Sequence, residues 1–115
     1  MAHYAFLNNS NVVTEVITGV DENQLIEGLD TETWYGNFRG QVCKRTSYNA
    51  KIRGKYAGKG DSYNAQEDIF VAPQPYPSWT RSGSYWNPPT PMPTTAGKFY
   101  YWSEDDLSWR EITND

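Results

Sequence analysis

One spacing recurs along this chain and limits how it can fold. An aromatic residue, six mostly polar residues and a second aromatic residue follow one another three times, as Tyr63/Phe70, Trp79/Trp86 and Trp102/Trp109. Phe6 and Val13 have the same spacing around a turn-forming Asn-Asn-Ser-Asn stretch. Each unit is typical of a β-hairpin whose polar turn brings two large side chains together on one face. The sequence therefore predicts four antiparallel hairpins.

The composition agrees with a β-rich chain. Hydrophobic residues make up only 37% of the 115 residues, but 16% are aromatic, so the core must consist largely of Trp, Tyr and Phe. Nine Gly and seven Pro favour many turns over a helical bundle. A chain of this length fits one domain. The predicted fold class is mainly β: a compact single domain, residues 1–115, of antiparallel hairpins with one or two short helical turns.

The hairpins and the helical turns can be placed along the chain. We predict an N-terminal hairpin over residues 4–18, a short helical region over 21–35, a basic strand and loop over 36–60, and three aromatic hairpins over 62–112. Asp21 and Asp30 can each cap a helical turn, and Gly36 is expected to end the second one.

Charge is distributed unevenly along the chain. Residues 33–60 contain seven of the ten basic residues and no acid, whereas residues 1–32 contain six acids and no base. Such a block either docks on an acidic partner or is neutralised by the protein's own acidic segments. Aromatic residues lie among its charges. The candidate partner-binding residues of this basic centre are Trp34, Tyr35, Phe38, Arg39, Lys44, Arg45, Arg53, Lys55 and Tyr56.

The residues that catalysis usually requires are scarce. His3 is the single histidine and Cys43 the single cysteine, so neither a zinc-type cluster nor an intrachain disulfide can form. The Gly- and Lys-containing stretch GKYAGKG lacks the spacing of a phosphate-binding loop. We therefore expect no enzyme activity, no catalytic residues, no metal site and no cofactor. The chain contains no membrane-length apolar run and no signal-peptide pattern, so we expect synthesis in the cytoplasm.

Three kinds of binding remain open. Aromatic and basic residues together could stack on single-stranded nucleic acid, but the net charge of −4 disfavours this partner on electrostatic grounds. Trp and Tyr on hairpins could stack on sugar rings, although the core also needs them. Protein docking, through complementary basic and acidic patches on identical or different subunits, ranks first.

Several segments of the sequence also resemble a known family. The segments YAFLNNSNVVTEVITGVDE, ETWYGNFRGQVCKRTSYN, RGKYAGKGDSYN, DIFVAPQPYPSW and YYWSEDDLSW resemble a family of small uncharacterised proteins encoded by tailed phages of marine bacteria, cyanophages among them. The likeness covers nearly the whole chain, although many relatives have a longer loop at residues 49–52.

The resemblance implies a virion structural protein, either a capsid decoration or cement protein or a tail accessory. Such a protein would be located in the virion, would bind capsid or tail proteins and could form a homo-oligomer. The alternative is a phage-encoded binding module for a host protein or a surface glycan.

Overall fold

The computed structural model describes residues 1–113, which form nine strands and one helix. The strands are β1 (Ala2–Leu7), β2 (Val13–Gly19), β3 (Val42–Thr46), β4 (Ser62–Asn64), β5 (Ile69–Val71), β6 (Thr80–Ser82), β7 (Tyr85–Asn87), β8 (Tyr100–Ser103) and β9 (Ser108–Glu111); the helix, α1, is Thr31–Arg39. The protein is mainly antiparallel β, as the sequence predicts. Contacts divide the chain into two compact units, Met1–Pro73 and a second unit that begins at Gln74. A single domain over 1–115 stays a prediction.

The first unit is built around strand β1. Its sheet has the order β2-β1-β3, and β1 pairs antiparallel with both neighbours. One face of β1 contributes Ala5 and Leu7 to a cluster with Phe70 of the β4–β5 hairpin. The other face contributes Tyr4 and Phe6 to a cluster that Tyr35 of α1 covers. Because β1 is covered on both faces, its sequence is a continuous run of apolar and aromatic residues.

The second unit contains the β6–β7 and β8–β9 hairpins and a cluster of tryptophans. Trp102 is buried, and its ring meets that of Trp109 edge-to-face at a centroid distance of 5.4 Å. Trp79 lies against both rings, at 5.9 and 6.1 Å. The Glu104 carboxylate accepts hydrogen bonds from Trp102 Nε1 and the Ser78 hydroxyl, which lower the pKa of Glu104. Three indoles thus form the small core that this unit needs.

All four predicted hairpins are present, but two of the predicted side-chain pairs are wrong. Tyr63 pairs with Phe70 and Trp102 pairs with Trp109, each across a four-residue loop. Trp86, however, pairs with Arg81 instead of Trp79, because Gly83 adopts a φ of 61° and closes a two-residue turn.

The N-terminal hairpin deviates from the predicted pairing for a similar local reason. Val13 pairs with Leu7, not Phe6, and the ladder has an irregularity next to this pair. Asn11 has a φ of 59°, and the Asn8 side chain accepts hydrogen bonds from the backbone of Ser10 and Val12. The turn therefore lies at the Asn-Asn-Ser-Asn stretch, as the sequence predicts, but its length differs from the predicted one.

The predicted helical region 21–35 is wrong in its first half. Residues 21–29 form turns and an isolated bridge between Ile26 and Leu29, and both Glu27 and Gly28 have positive φ. Leu25 and Leu29, which have helical spacing, are 71% and 39% exposed, so no packed face holds a helix there. The predicted second cap is correct, because the Asp30 carboxylate accepts from Thr33 N.

The helix also extends further than predicted. It continues through Gly36 and ends at Gly40, which has a left-handed φ of 74°. Residues 36–39 of the predicted basic strand and loop thus belong to α1, and the strand itself is β3. Gly36 lies against the chain at Gln41–Cys43, where an added Cβ would meet the Gln41 carbonyl oxygen at 2.9 Å. Close packing explains this glycine better than helix termination.

Candidate docking surface

The outer side of α1 carries an aromatic pair. Trp34 and Phe38 are one helical turn apart, and their rings stack at a centroid distance of 5.4 Å with 9° between planes. Phe38 is 72% exposed. Trp34 Nε1 donates to the Glu27 carboxylate at 3.2 Å, which fixes the orientation of the indole. We call Trp34 and Phe38 the aromatic ridge.

Tyr35 lies on the inner side of the same helix. Its ring packs on Tyr4 at 4.7 Å, and its hydroxyl accepts a hydrogen bond from Val20 N at 3.0 Å. It therefore holds α1 on the sheet, and of the three predicted aromatic partner-binding residues on α1 only Phe38 is exposed, beside the half-buried Trp34.

The basic centre is largely neutralised by the protein's own acids. The ion pairs join Arg39 to Glu15 at 2.7 Å, Arg45 to Glu22 at 3.6 Å, Arg53 to Glu32 and Asp68, both at 2.8 Å, and Lys55 to Asp61. Acids from both flanking segments supply these partners. Of the two interpretations of the charge distribution, internal neutralisation accounts for these four residues.

Arg53 connects several elements of the first unit. Its side chain is only 18% exposed. The guanidinium donates to the Glu32 carboxylate of α1, to the Arg45 carbonyl oxygen of β3, and to Asp68 of the β4–β5 loop. Its own carbonyl oxygen accepts from Phe70 N at 2.9 Å. This residue is a structural clamp, which differs from its predicted place on an exposed partner surface.

The remaining predicted residues lie at different places in the unit. Lys44 lies over the Tyr63 ring, with Nζ 5.5 Å from its centroid, on the sheet face that β4–β5 covers. Arg39 lies over Phe6, on the opposite side of the sheet. Tyr56 packs against His3 and Tyr48 at 5.5 Å from each. The nine residues therefore do not form one continuous binding surface.

The sequence allows the flanking acidic segments to neutralise the basic centre, but it does not indicate which acid pairs with which base. Glu32 lies 21 residues before Arg53, and Asp68 lies 15 residues after it. No periodicity joins positions so far apart. Arg53 and Asp68 both have positive φ, of 52° and 55°, and this backbone conformation has no clear signal at an arginine.

Asp68 and Tyr63 shift each other's pKa. The hydrogen bond from the Tyr63 hydroxyl and the contact with Arg53 lower the pKa of Asp68. Burial, followed by the hydrogen bond to the Asp68 carboxylate, raises the pKa of Tyr63 from 10.0 to about 12. The folded state therefore favours the protonated phenol and the charged carboxylate.

The raised pKa of Tyr63 predicts how stability depends on alkaline pH. This pKa is higher in the folded than in the unfolded chain. The Tyr63 hydroxyl therefore contributes fully to the free energy of unfolding below the unfolded pKa of 10.0, and this contribution is lost as the pH approaches about 12. We expect Tyr63→Phe to flatten the decline of the unfolding free energy over this interval by about 1–2 kcal/mol. Urea titrations across the interval measure it. A decline that the substitution leaves unchanged would assign the effect to other groups.

Cys43 is an inert core residue. It is 5% exposed, and burial raises the pKa of its thiol to about 12. Lys44 and Arg45 follow it in sequence, but this neighbourhood does not activate the thiol. The residue therefore fills the space between the sheet and α1.

Among residues 1–113, no group of three or more His, Cys, Asp or Glu side chains is placed to hold a metal ion. No helix in that range is long and apolar enough to cross a bilayer. Comparison with protein-family profiles, with curated proteins and with solved structures finds no match for this chain.

Proposed function

We propose that this protein is a structural component of a phage particle that docks on other virion subunits, as a capsid decoration or cement protein or a tail accessory. The phage assignment rests on the sequence resemblance. The docking role is supported chiefly by the aromatic ridge, because an exposed Phe38 stacked on a half-buried Trp34 of a well-capped helix is the kind of rigid anchor that protein interfaces use.

The charge network changes how docking is expected to occur. Arg39 and Arg45 already bind Glu15 and Glu22, so a partner carboxylate would have to displace an internal one. The apolar ridge is not engaged in this way. We therefore propose that docking depends mainly on Trp34 and Phe38, with a shallow dependence on salt.

The direct test of the virion assignment is mass spectrometry of purified particles. Stoichiometric presence of the chain supports it. Absence from particles, together with low copy number in infected cells, would favour the alternative, a module that binds a host protein or surface glycan.

The aromatic ridge gives a prediction about attachment. Phe38→Ser should weaken binding to particles that lack the protein by about tenfold or more, since a solvent-facing anchor is lost. The unfolding free energy should change by no more than about 0.5 kcal/mol, as expected for an exposed position. Co-sedimentation of added protein with such particles measures the attachment.

The matched control is Phe99→Ser in the second unit. Phe99 is 73% exposed, compared with 72% for Phe38, so the chemistry and exposure of the two substitutions are alike. Equal losses from both variants, or no loss from either, would show that the ridge is not the docking element.

Internal neutralisation also predicts weak nucleic-acid binding. Arg39, Arg45, Arg53 and Lys55 are paired with carboxylates, so few cations can release counterions from a phosphate backbone. We expect no affinity for mixed-sequence single-stranded DNA or RNA beyond the roughly 10⁻⁴–10⁻⁶ M of non-specific contact. A fluorescence-anisotropy titration decides this. Submicromolar binding with a steep salt dependence would require an outward-facing basic site.

A further inference from the structure

A cleft in the first unit lies apart from the residues of the aromatic ridge. It has a volume of about 390 Å³, and its walls include His3 of β1, Arg45 of β3 and the loop residues Tyr48, Asn49 and Lys51. This volume lies within the range of small-ligand sites. A larger cleft of about 630 Å³ shares Glu22, Arg45 and Ile52 with it, so a ligand longer than one ring has space to continue.

Three aromatic rings form one cluster at this cleft. Tyr48 lies 6.1 Å from His3 and 5.5 Å from Tyr56, measured between ring centroids. His3 and Tyr56 meet edge-to-face, and both rings contact Tyr48. Tyr48 nevertheless remains 70% exposed. The cluster therefore presents a supported but solvent-accessible ring, which differs from a tyrosine that only fills a core.

Two of the polar side chains around Tyr48 are available to a ligand. Within residues 1–113, neither the Asn49 amide nor the Lys51 ammonium has a side-chain hydrogen-bond or ion-pair partner. Arg45 and Glu22, 3.6 Å apart, are paired with each other across the same cleft. The cleft thus offers an amide, an ammonium and a carboxylate, which can donate to or accept from hydroxyl groups.

The loop that carries these groups has an unusual backbone. Ala50 and Arg53 both have positive φ, of 57° and 52°, although neither is glycine. Such conformations persist only where surrounding contacts enforce them. At Arg53 the guanidinium contacts do so. At Ala50 the Ser47 carbonyl and hydroxyl oxygens do so by accepting from Ala50 N and Lys51 N. The loop therefore holds Tyr48, Asn49 and Lys51 in a defined arrangement next to the cleft.

We propose that this cleft binds a saccharide, with a sugar ring packed on Tyr48 and its hydroxyls hydrogen-bonded by Asn49, Lys51 and Glu22. An aromatic platform bordered by amide and charged groups suits the apolar face and polar rim of a pyranose. A nucleic acid is disfavoured, because Lys51 is the one side-chain cation in the walls of this cleft, among residues 1–113, that has no carboxylate partner. The proposal does not depend on the docking role of the ridge.

The test is saturation-transfer NMR of the full chain with a panel of hexoses, N-acetylhexosamines, deoxyhexoses and their short oligomers. At least one saccharide should show transfer to ring protons, with a dissociation constant of about 1 mM or tighter. Tyr48→Ala should weaken that binding by about tenfold or more, and Lys51→Ala should weaken it to a smaller extent.

Tyr101→Ala is the matched control, because Tyr101 is a 50% exposed tyrosine in the second unit. It should leave saccharide binding unchanged. Circular dichroism checks that the variants remain folded, and Asn49→Ala provides a further exposed variant that spares the aromatic cluster. The proposal is overturned if no saccharide in the panel binds, or if binding survives Tyr48→Ala and Asn49→Ala at full strength.

Discussion

Replacing Phe70 by alanine should lower the free energy of unfolding by about 3–5 kcal/mol, as for other large buried aromatic residues. Phe70 is 0% exposed and packs on Tyr63, 5.5 Å away, within the cluster that contains Ala5 and Leu7 of β1. Urea denaturation followed by circular dichroism measures the loss.

Phe38→Ala is the control for this prediction, because it makes the same substitution at a 72% exposed position of the same unit. We expect a change within about 0.5 kcal/mol. If Phe70→Ala cost less than about 1 kcal/mol, the β4–β5 hairpin would not form the cover of the sheet that its contacts indicate.

Arg53→Ala should destabilise the protein by about 2–3 kcal/mol, because hydrogen bonds to charged groups contribute more than neutral ones. The substitution leaves the Glu32 and Asp68 carboxylates and the Arg45 carbonyl oxygen without this donor. Lys51→Ala, in the same loop at an exposed position, should have almost no effect. Equal effects of the two substitutions would show that the clamp contributes nothing to stability.

Arg53→Gly distinguishes the effect of losing the guanidinium hydrogen bonds from the effect of the positive φ at this position. Glycine loses the same hydrogen bonds but accepts a φ of 52° without the cost that alanine has there. We therefore expect Arg53→Gly to be about 1 kcal/mol more stable than Arg53→Ala. The reverse order would mean that the loop moves to another backbone conformation once the side chain is gone.

The hairpins could be predicted because their signals are local. A polar loop between two aromatic residues was enough to find β4–β5 and β8–β9 with the correct cross-strand pairs. The pairing of Trp86 was missed because one glycine shortens the turn, and spacing alone does not distinguish a two-residue from a four-residue loop. Asp30 was found as a cap, since capping depends on residues three positions apart.

The arrangement of the site depends on contacts that have no local signal. Nothing in the sequence joins Arg53 to Glu32, so the basic centre was assigned as one surface, although tertiary pairing divides it. Likewise, Leu25 and Leu29 have helical spacing, but they stay exposed because no neighbouring element packs on them. The cleft at Tyr48 was not predicted, because it needs β1, β3 and a strained loop to come together.

The long connection between β7 and β8 makes the protein easy to modify. Every residue from 89 to 99 is exposed. Near the start of this connection, the Thr90 carbonyl oxygen accepts a hydrogen bond from Trp109 Nε1. Exposed segments of this kind accept insertions with little effect on the elements they join. A short epitope or fluorophore-labelling tag inserted between Thr94 and Thr95 would leave the first unit intact and make the protein detectable through its label.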